Sequence, residues 1–170
     1  MININFETGK ILELPFDSHS GADFKGGDLH RAIFEEVDSS YANFSGVNLR
    51  SAVFYSVNLT GSKMKGAALM NAILMGSDME GVDLSESNLS YADFSNVNLS
   101  MACLKNAEVE GGNFRGAKLY GANFEVVQID KCKISGALYD ENTVWPSGYD
   151  PELHGAVRKG SRKGGVIDFI

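Results

Sequence analysis

The chain has 170 residues, and its 22 acidic and 15 basic side chains give a formal charge of −7 at pH 7. This length suits one domain, and the negative charge argues against general affinity for nucleic acid, which binds basic surfaces. No stretch is long and apolar enough to cross a membrane. The first residues lack the basic and apolar regions of a secretion signal, so we expect a cytoplasmic protein without membrane contact.

Residues 1–20 lie outside the periodic pattern described below and are predicted to form an N-terminal hairpin cap. Ile2, Ile4 and Phe6 alternate with polar residues, a turn-like segment follows at 7–10, and a second apolar run begins at Ile11. Two short alternating runs around a turn indicate a β-hairpin. The end of a repetitive β-structure needs such a cover, because it leaves apolar side chains and backbone groups exposed.

Residues 21–139 repeat with a period of five. A large apolar residue occupies every fifth position from Phe24 to Tyr139, with Ser39 as the one polar exception, and a small residue precedes each by two positions. A period of five matches neither a helix nor a simple strand. Asn or Asp often precedes the apolar residue and Gly often closes the unit, which indicates a tight corner in every unit, with Asn and Asp bonding the local backbone.

Four of these units show a family resemblance: Ala-Asn-Phe-Ser-Gly (42–46), Val-Asp-Leu-Ser-Glu (82–86), Ala-Asp-Phe-Ser-Asn (92–96) and Ala-Asn-Phe-Glu-Val (122–126). They resemble pentapeptide repeats, and the chain is similar to cyanobacterial members of that family. The resemblance implies an all-β fold, a right-handed quadrilateral β-helix of about six four-sided coils. The five-residue pattern itself predicts that the repeat runs from 21 to 139 without insertion or deletion.

Four units per coil would stack residues twenty apart in four columns. Column one starts at Phe24, column two at Leu29, column three at Phe34 and column four at Ser39. With about 4.8 Å between coils, six coils would make a rod of roughly 29 Å. Ser39 would lie in the first coil, where we expect Leu14 or Phe16 of the cap to fill the space beside it; a functional role for Ser39 is the alternative. Cys103 would point outward beside column one and Cys132 inward beside column three, so no disulfide is expected between them.

The outward positions beside column three predict an interaction patch. The position before its apolar residue is itself apolar in the first three coils, the position after it is apolar in the second and third, and a residue beside column two extends them. Contiguous exposed apolar side chains often mark a contact surface, although β-branched residues also suit any flat sheet. The candidate interaction patch consists of Ile33, Val53, Ile73, Tyr55, Met75 and Met70.

A second candidate surface is an acidic corner between columns four and one, formed by Asp78, Glu80, Asp83 and Glu86. Lys63, Lys65 and Lys105 lie on adjoining coils, so solvated ion pairs that contribute little are the simpler interpretation. A surface that mimics DNA would need acids along several coils. The outward positions beside column four instead read Asp38, Asn58, Asp78, Asn98, Lys118 and Leu138.

Residues 140–170 break the period and are predicted to form a C-terminal cap and a flexible tail. Trp145 and Tyr149 are expected to plug the open end, and Asp150-Pro151 predicts the cap and first position of a short helix. Residues 152–170 hold four basic and two acidic residues, a net charge of +2, so the remainder carries −9. The tail is either solvated or in contact with an acidic partner or a neighbouring copy.

These features predict a non-catalytic module that binds an unknown protein partner, as a monomer or weak homodimer. His19, His30 and His154 are scattered, and the repeat predicts no cleft, so we expect no enzyme, metal site or cofactor. The resemblance offers one alternative. Some pentapeptide-repeat proteins confer quinolone resistance by mimicking DNA and binding a type II topoisomerase (gyrase), but this sequence lacks a continuous acidic stripe and the loop insertions of those proteins.

Overall fold

The computed structural model describes residues 2–14 and 18–159. Its strands are β1 (Ile2–Phe6), β2 (Ile11–Leu14), β3 (Ala32–Glu35), β4 (Val53–Tyr55), β5 (Leu138–Tyr139) and β6 (Val157–Arg158). Two single 3₁₀ turns span Ile129–Lys131 and Glu152–His154. The described ranges contain no α-helix, in agreement with the all-β expectation.

Parallel pairing between residues twenty apart organises the chain. It begins at Asp23 with Asn43 and recurs through Lys118 with Leu138. Both backbone groups of Asn43 bond the preceding coil: its N–H donates to the Ala22 carbonyl at 2.9 Å, and its carbonyl accepts from Phe24 N–H at 2.8 Å. The backbone therefore winds as a β-helix that advances one coil every twenty residues.

The corners between units are left-handed turns. The Gly27 N–H donates to the Phe24 carbonyl at 2.9 Å, with Gly26 at φ +68° between them, as in a type II turn. Before the corner, a side chain bonds the backbone two residues on, as when Asp93 Oδ1 accepts from Ser95 N–H at 2.9 Å. The predicted role of the Asn and Asp residues is confirmed, because most of them make this bond.

The apolar residues of the four columns fill the interior. All of them from Phe24 to Tyr139 are buried, and Ser39 is buried with them. Rings twenty residues apart stack face to face, with 4.6 Å between the centroids of Phe34 and Phe54 and 4.9 Å between those of Phe94 and Phe114. Since each side chain packs on the coils above and below it, neighbouring coils stabilise one another.

The expectation of a repeat without interruption is wrong near residue 126. Glu108 pairs with Val127, nineteen residues on, and Asn123 pairs with Val144, twenty-one residues on. The corner at position 126 holds a valine, and a β-branched residue strongly disfavours positive φ. The left-handed residue is instead Gln128 at φ 62°, and the 3₁₀ turn that follows returns Ile129 to the interior.

At the N-terminal end, β1 and β2 form an antiparallel hairpin, and β1 also pairs antiparallel with β3. The sheet order is β2-β1-β3-β4, so the hairpin extends the side of the β-helix beside column three. His19 is buried against this end, with its ring 6.2 Å from Phe24 and 5.9 Å from Phe34 between centroids. The expected contact of Ser39 with Leu14 or Phe16 depends on two side chains that lie outside the described part of the structure.

At the C-terminal end, aromatic rings continue the interior. Trp145 contacts Phe124 with 5.2 Å and Tyr139 with 5.5 Å between ring centroids, and Tyr149 stacks on Trp145 at 5.9 Å. The short helix is one 3₁₀ turn that starts a residue later than predicted, with Pro151 as its N-cap. Asp150 Oδ1 still accepts the Glu152 N–H at 3.0 Å. The part of the predicted tail from 160 to 170 lies outside the described residues.

Candidate interaction surfaces

The structure places the main row of the candidate interaction patch on consecutive coils. Ile33 pairs with Val53 through β3 and β4, and Val53 pairs with Ile73. Tyr55 is 47% exposed, and Ile73 and Met75 are each 42% exposed. Ile33, Val53 and Met70 are half-buried, so the solvent-facing part of the patch is centred on the second and third coils.

The hairpin adds to this surface a residue that the sequence alone did not place. Asn5 of β1 pairs with Ile33 on one side and with Ile11 of β2 on the other. Directly paired residues share one face of a sheet, so Ile11, which is 57% exposed, lies on the same face as the patch. The alternation in residues 2–14 indicates a hairpin, but it carries no information on which side of the β-helix the hairpin pairs with.

The acidic corner is bonded mostly to its own backbone and to neighbouring amides. Asp78 Oδ1 accepts from the Asn98 side-chain amide at 2.9 Å, and Asp83 Oδ1 accepts from the Ser85 hydroxyl at 2.6 Å. Within the described part of the chain, Glu86 is the one member in an ion pair, with Lys65 at 3.1 Å. Both partners of that pair are more than half exposed, so it contributes little.

Asp–Asn ladders explain why acids do not accumulate along the surface. An Asn side-chain amide donates to the carboxylate twenty residues earlier in the pairs Asn43–Asp23, Asn48–Asp28, Asn58–Asp38, Asn98–Asp78 and Asn113–Asp93. A carboxylate directly above another would repel it, whereas an amide bonds it. Alternation of Asp and Asn therefore stabilises the stack and places a neutral residue between successive charges.

Burial shifts the pKa values of three groups, the half-buried Cys132 and Tyr149 and the buried His19, toward their neutral forms. Burial raises the pKa of the Cys132 thiol to about 12, so it is not the thiolate that a nucleophile requires. Burial likewise raises the pKa of the Tyr149 hydroxyl to about 12 and lowers that of His19 below 6.5. Across residues 2–14 and 18–159, no three His, Cys, Asp or Glu side chains are grouped as metal ligands would be. Both cysteines are free.

His19 is the buried residue that the sequence reasoning overlooked. It lies five positions before Phe24, and therefore at the apolar position that precedes Ser39 in column four. Its Nδ1 is buried without a hydrogen-bond partner among the described residues. Extending the five-residue period one unit toward the N-terminus would have identified it as an interior side chain.

The fold and its surfaces define a β-solenoid whose distinctive features are outward-facing side chains on a regular stack. The pentapeptide-repeats family model matches this chain with 8 copies, at residues 40–76, 52–90, 72–111 and 102–136. Together these segments cover more than half of the chain, which belongs to the pentapeptide-repeat family. Proteins of this family are in general structural or binding proteins, and its fold is a right-handed β-helix.

Solved structures agree with this assignment. The pentapeptide repeat protein Rfr23 from the cyanobacterium Cyanothece 51142 is 25% identical, with a TM-score of 0.53 over 74% of this chain and 88% of that one. A trypsin-treated variant of QnrB1, a plasmid-mediated fluoroquinolone resistance protein, is 22% identical, with a TM-score of 0.50 over 81% of this chain and 78% of that one. At this identity, the likeness to QnrB1 concerns the fold alone. No curated protein matches the chain.

Among the residues that the structure describes, no helix has the length and hydropathy needed to traverse a bilayer.

Proposed function

We propose that this protein is a non-catalytic module that presents the apolar patch beside column three to a protein partner. The observation that carries the proposal is the run of paired apolar residues from Ile33 to Ile73, flanked by Tyr55 and Met75. At the same outward positions, the next coil has Asp93 and Ser95. The fold therefore accepts polar residues here, so apolar ones are not required by the repeat.

The proposal includes the finer architecture expected from the sequence. Residues 21–139 are proposed to form about six four-sided coils, residues 1–20 an N-terminal cap, and residues 140–170 a C-terminal cap with a tail. The twenty-residue pairing supports the four-unit coil. Packing of the hairpin on β3, and of Trp145 on Phe124, supports the two caps. The cytoplasmic location and the oligomeric state, a monomer or weak homodimer, stay predictions.

The experiment replaces Ile73→Asn and Met75→Ser together. Position 73 pairs with Asp93, which an amide can bond, and Met75→Ser gives the residue type of Ser95 on the next coil, so the fold is expected to be kept. Val127→Asn is the matched control, because Val127 is 45% exposed, lies outside the patch and pairs with the carboxylate residue Glu108. Wild type and both variants are immobilised, and the proteins that each retains from an extract of the producing cells are compared.

We expect a partner that is retained by wild type and by Val127→Asn, and at least tenfold less by the patch variant. Circular dichroism spectra should be the same for all three proteins. Equal retention of every captured protein by the three baits would remove the patch from consideration as the contact surface.

Binding to a type II topoisomerase by DNA mimicry is less well supported. The outward positions beside column four alternate between Asp and Asn up to Asn98 and then continue with Lys118. The negative charge is therefore interrupted at every second coil. We expect this protein to leave DNA supercoiling by gyrase unchanged at micromolar concentration, and inhibition there would favour the mimic over the apolar contact.

A further inference from the structure

The N-terminal edge of the β-helix is only partly covered. Beside column three, β1 pairs with β3 and bonds its outer edge. Beside columns one and two, the equivalent positions are Asp23 and Asp28, which pair only toward Asn43 and Asn48. No residue in the ranges 2–14 and 18–159 bonds the backbone N–H or C=O of Asp23 or Asp28. As far as the described ranges show, two successive sides of the first coil thus present an open strand edge.

A cavity accompanies this open edge. It has a volume of about 260 Å³ and is lined by Leu12, Asp23, Phe24, Lys25, Gly27, Asp28 and Leu29. Its apolar wall comes from the hairpin on one side and from columns one and two on the other. An apolar cavity of about 150 Å³ is enough for a benzene molecule, so this one has room for a large apolar side chain. An extended segment on the edge could therefore bond the backbone and fill the cavity together.

We propose that this edge binds residues 166–170 of a second copy of the chain, added as a β-strand. The sequence of that segment is Val-Ile-Asp-Phe-Ile, rich in the β-branched and aromatic residues that favour strands. In a strand, Ile167 and Phe169 point to one side and Asp168 to the other. Ile167 and Phe169 then face the cavity. Strand addition of this kind takes its affinity from backbone bonds and its specificity from alternate side chains.

The linker at residues 160–165 is too short for the segment to reach the edge of its own chain, so the segment must come from another copy. Along the stack, Asp38 and Val157 are separated by six successive residue pairings, which run through Asn58, Asp78, Asn98, Lys118 and Leu138. At about 4.8 Å each, they place the start of the tail roughly 29 Å from the first coil. Residues 160–165 span at most about 21 Å when fully extended. Residues 166–170 therefore cannot lie along the N-terminal edge of their own chain.

Charge favours the same pairing. Residues 21–40 contain five acidic residues, Asp23, Asp28, Glu35, Glu36 and Asp38, against the two basic residues Lys25 and Arg31. Residues 152–170 carry a net charge of +2, with Arg162 and Lys163 shortly before the proposed strand. The basic tail of one copy and the acidic first coil of the next attract each other. Because the two surfaces differ, the contact is head-to-tail and builds linear arrays or rings.

The test measures association of the full chain by sedimentation velocity, from about 1 to 200 µM protein. Wild type is expected to sediment faster as its concentration rises. Ile167→Asp with Phe169→Asp should weaken association at least tenfold, because both side chains face the cavity. The matched control, Val166→Asp with Ile170→Asp, adds the same charge on the outward side and should change association less than threefold. A synthetic peptide with sequence 160–170 should dissociate the wild-type assemblies.

Three results would overturn this inference: a monomer across the whole range, equal weakening by the two tail variants, or assemblies that the peptide leaves intact. The Ile73→Asn, Met75→Ser variant separates it from the proposed function. That variant should associate like wild type, and a loss of association there would assign self-contact to the apolar patch instead.

Discussion

A glycine that lies beneath a tyrosine allows backbone strain and side-chain contact to be measured separately. Gly61 has a φ of +64°, and a Cβ there would lie 2.6 Å from Cε1 of Tyr41 on the preceding coil. Gly81, one coil further, has a φ of +66°, and its Cβ would meet nothing within 4 Å. Gly61→Ala and Gly81→Ala thus share the backbone conformation and differ in the contact.

The expected losses in the free energy of unfolding follow from the left-handed backbone conformation and from the contact with Tyr41. A left-handed conformation costs an alanine about 1–2 kcal/mol relative to glycine, so Gly81→Ala should lower the free energy of unfolding by that amount. Gly61→Ala must also move the Tyr41 ring from its rotamer, for about 0.5–1.5 kcal/mol more. Tyr41 is 67% exposed, so the ring can turn into solvent without separating the coils.

The assay is urea unfolding followed by circular dichroism, with the fluorescence of Trp145, the single tryptophan, as a second probe. Each glycine variant is also made in a Tyr41→Ala background, which completes a double-mutant cycle. The extra cost of Gly61→Ala should disappear in that background, whereas the cost of Gly81→Ala should be unchanged. Equal costs for the two glycine variants, or an extra cost that survives Tyr41→Ala, would refute the reasoning.

Three further predictions concern the interior and the ends. Leu69 is fully buried, and Leu69→Ala should lower the free energy of unfolding by about 2–5 kcal/mol. The control Leu153→Ala changes a residue that is 82% exposed and should lower it by less than about 0.5 kcal/mol. Burial holds the pKa of His19 below 6.5, so the unfolded chain binds the proton first and stability is lost as pH falls below 6.5. Urea titrations at several pH values should show a weaker loss for His19→Leu, and an identical pH profile would contradict this assignment. Tyr139→Phe removes the hydroxyl that donates to Glu152 at 2.9 Å and should cost about 1 kcal/mol in the same assay; no change would show that water replaces the bond.

The five-residue pattern predicted the interior well because its signal is repeated in every unit. Large apolar residues from Phe24 to Tyr139 are buried as expected, and Asn and Asp bond the corner backbone. The register shift near residue 126 could have been predicted from the sequence but was not. Val126 stands where a left-handed residue is required, so the register shifts there. A period counted only on the apolar positions does not detect this, since Ile129 still returns to the interior.

The sequence by itself determined the period, the β-helical fold and the side chains that fill it, because each five-residue unit encodes its own corner and its own buried residue. Only the tertiary structure decided where the hairpin lies. Pairing of β1 with β3 brings Ile11 beside the apolar patch, and no residue within 2–14 or 18–159 bonds the outer backbone edge at Asp23 and Asp28. Strand pairing between distant segments depends on which edge is available once the coils have formed, and no local pattern in residues 2–14 specifies that edge.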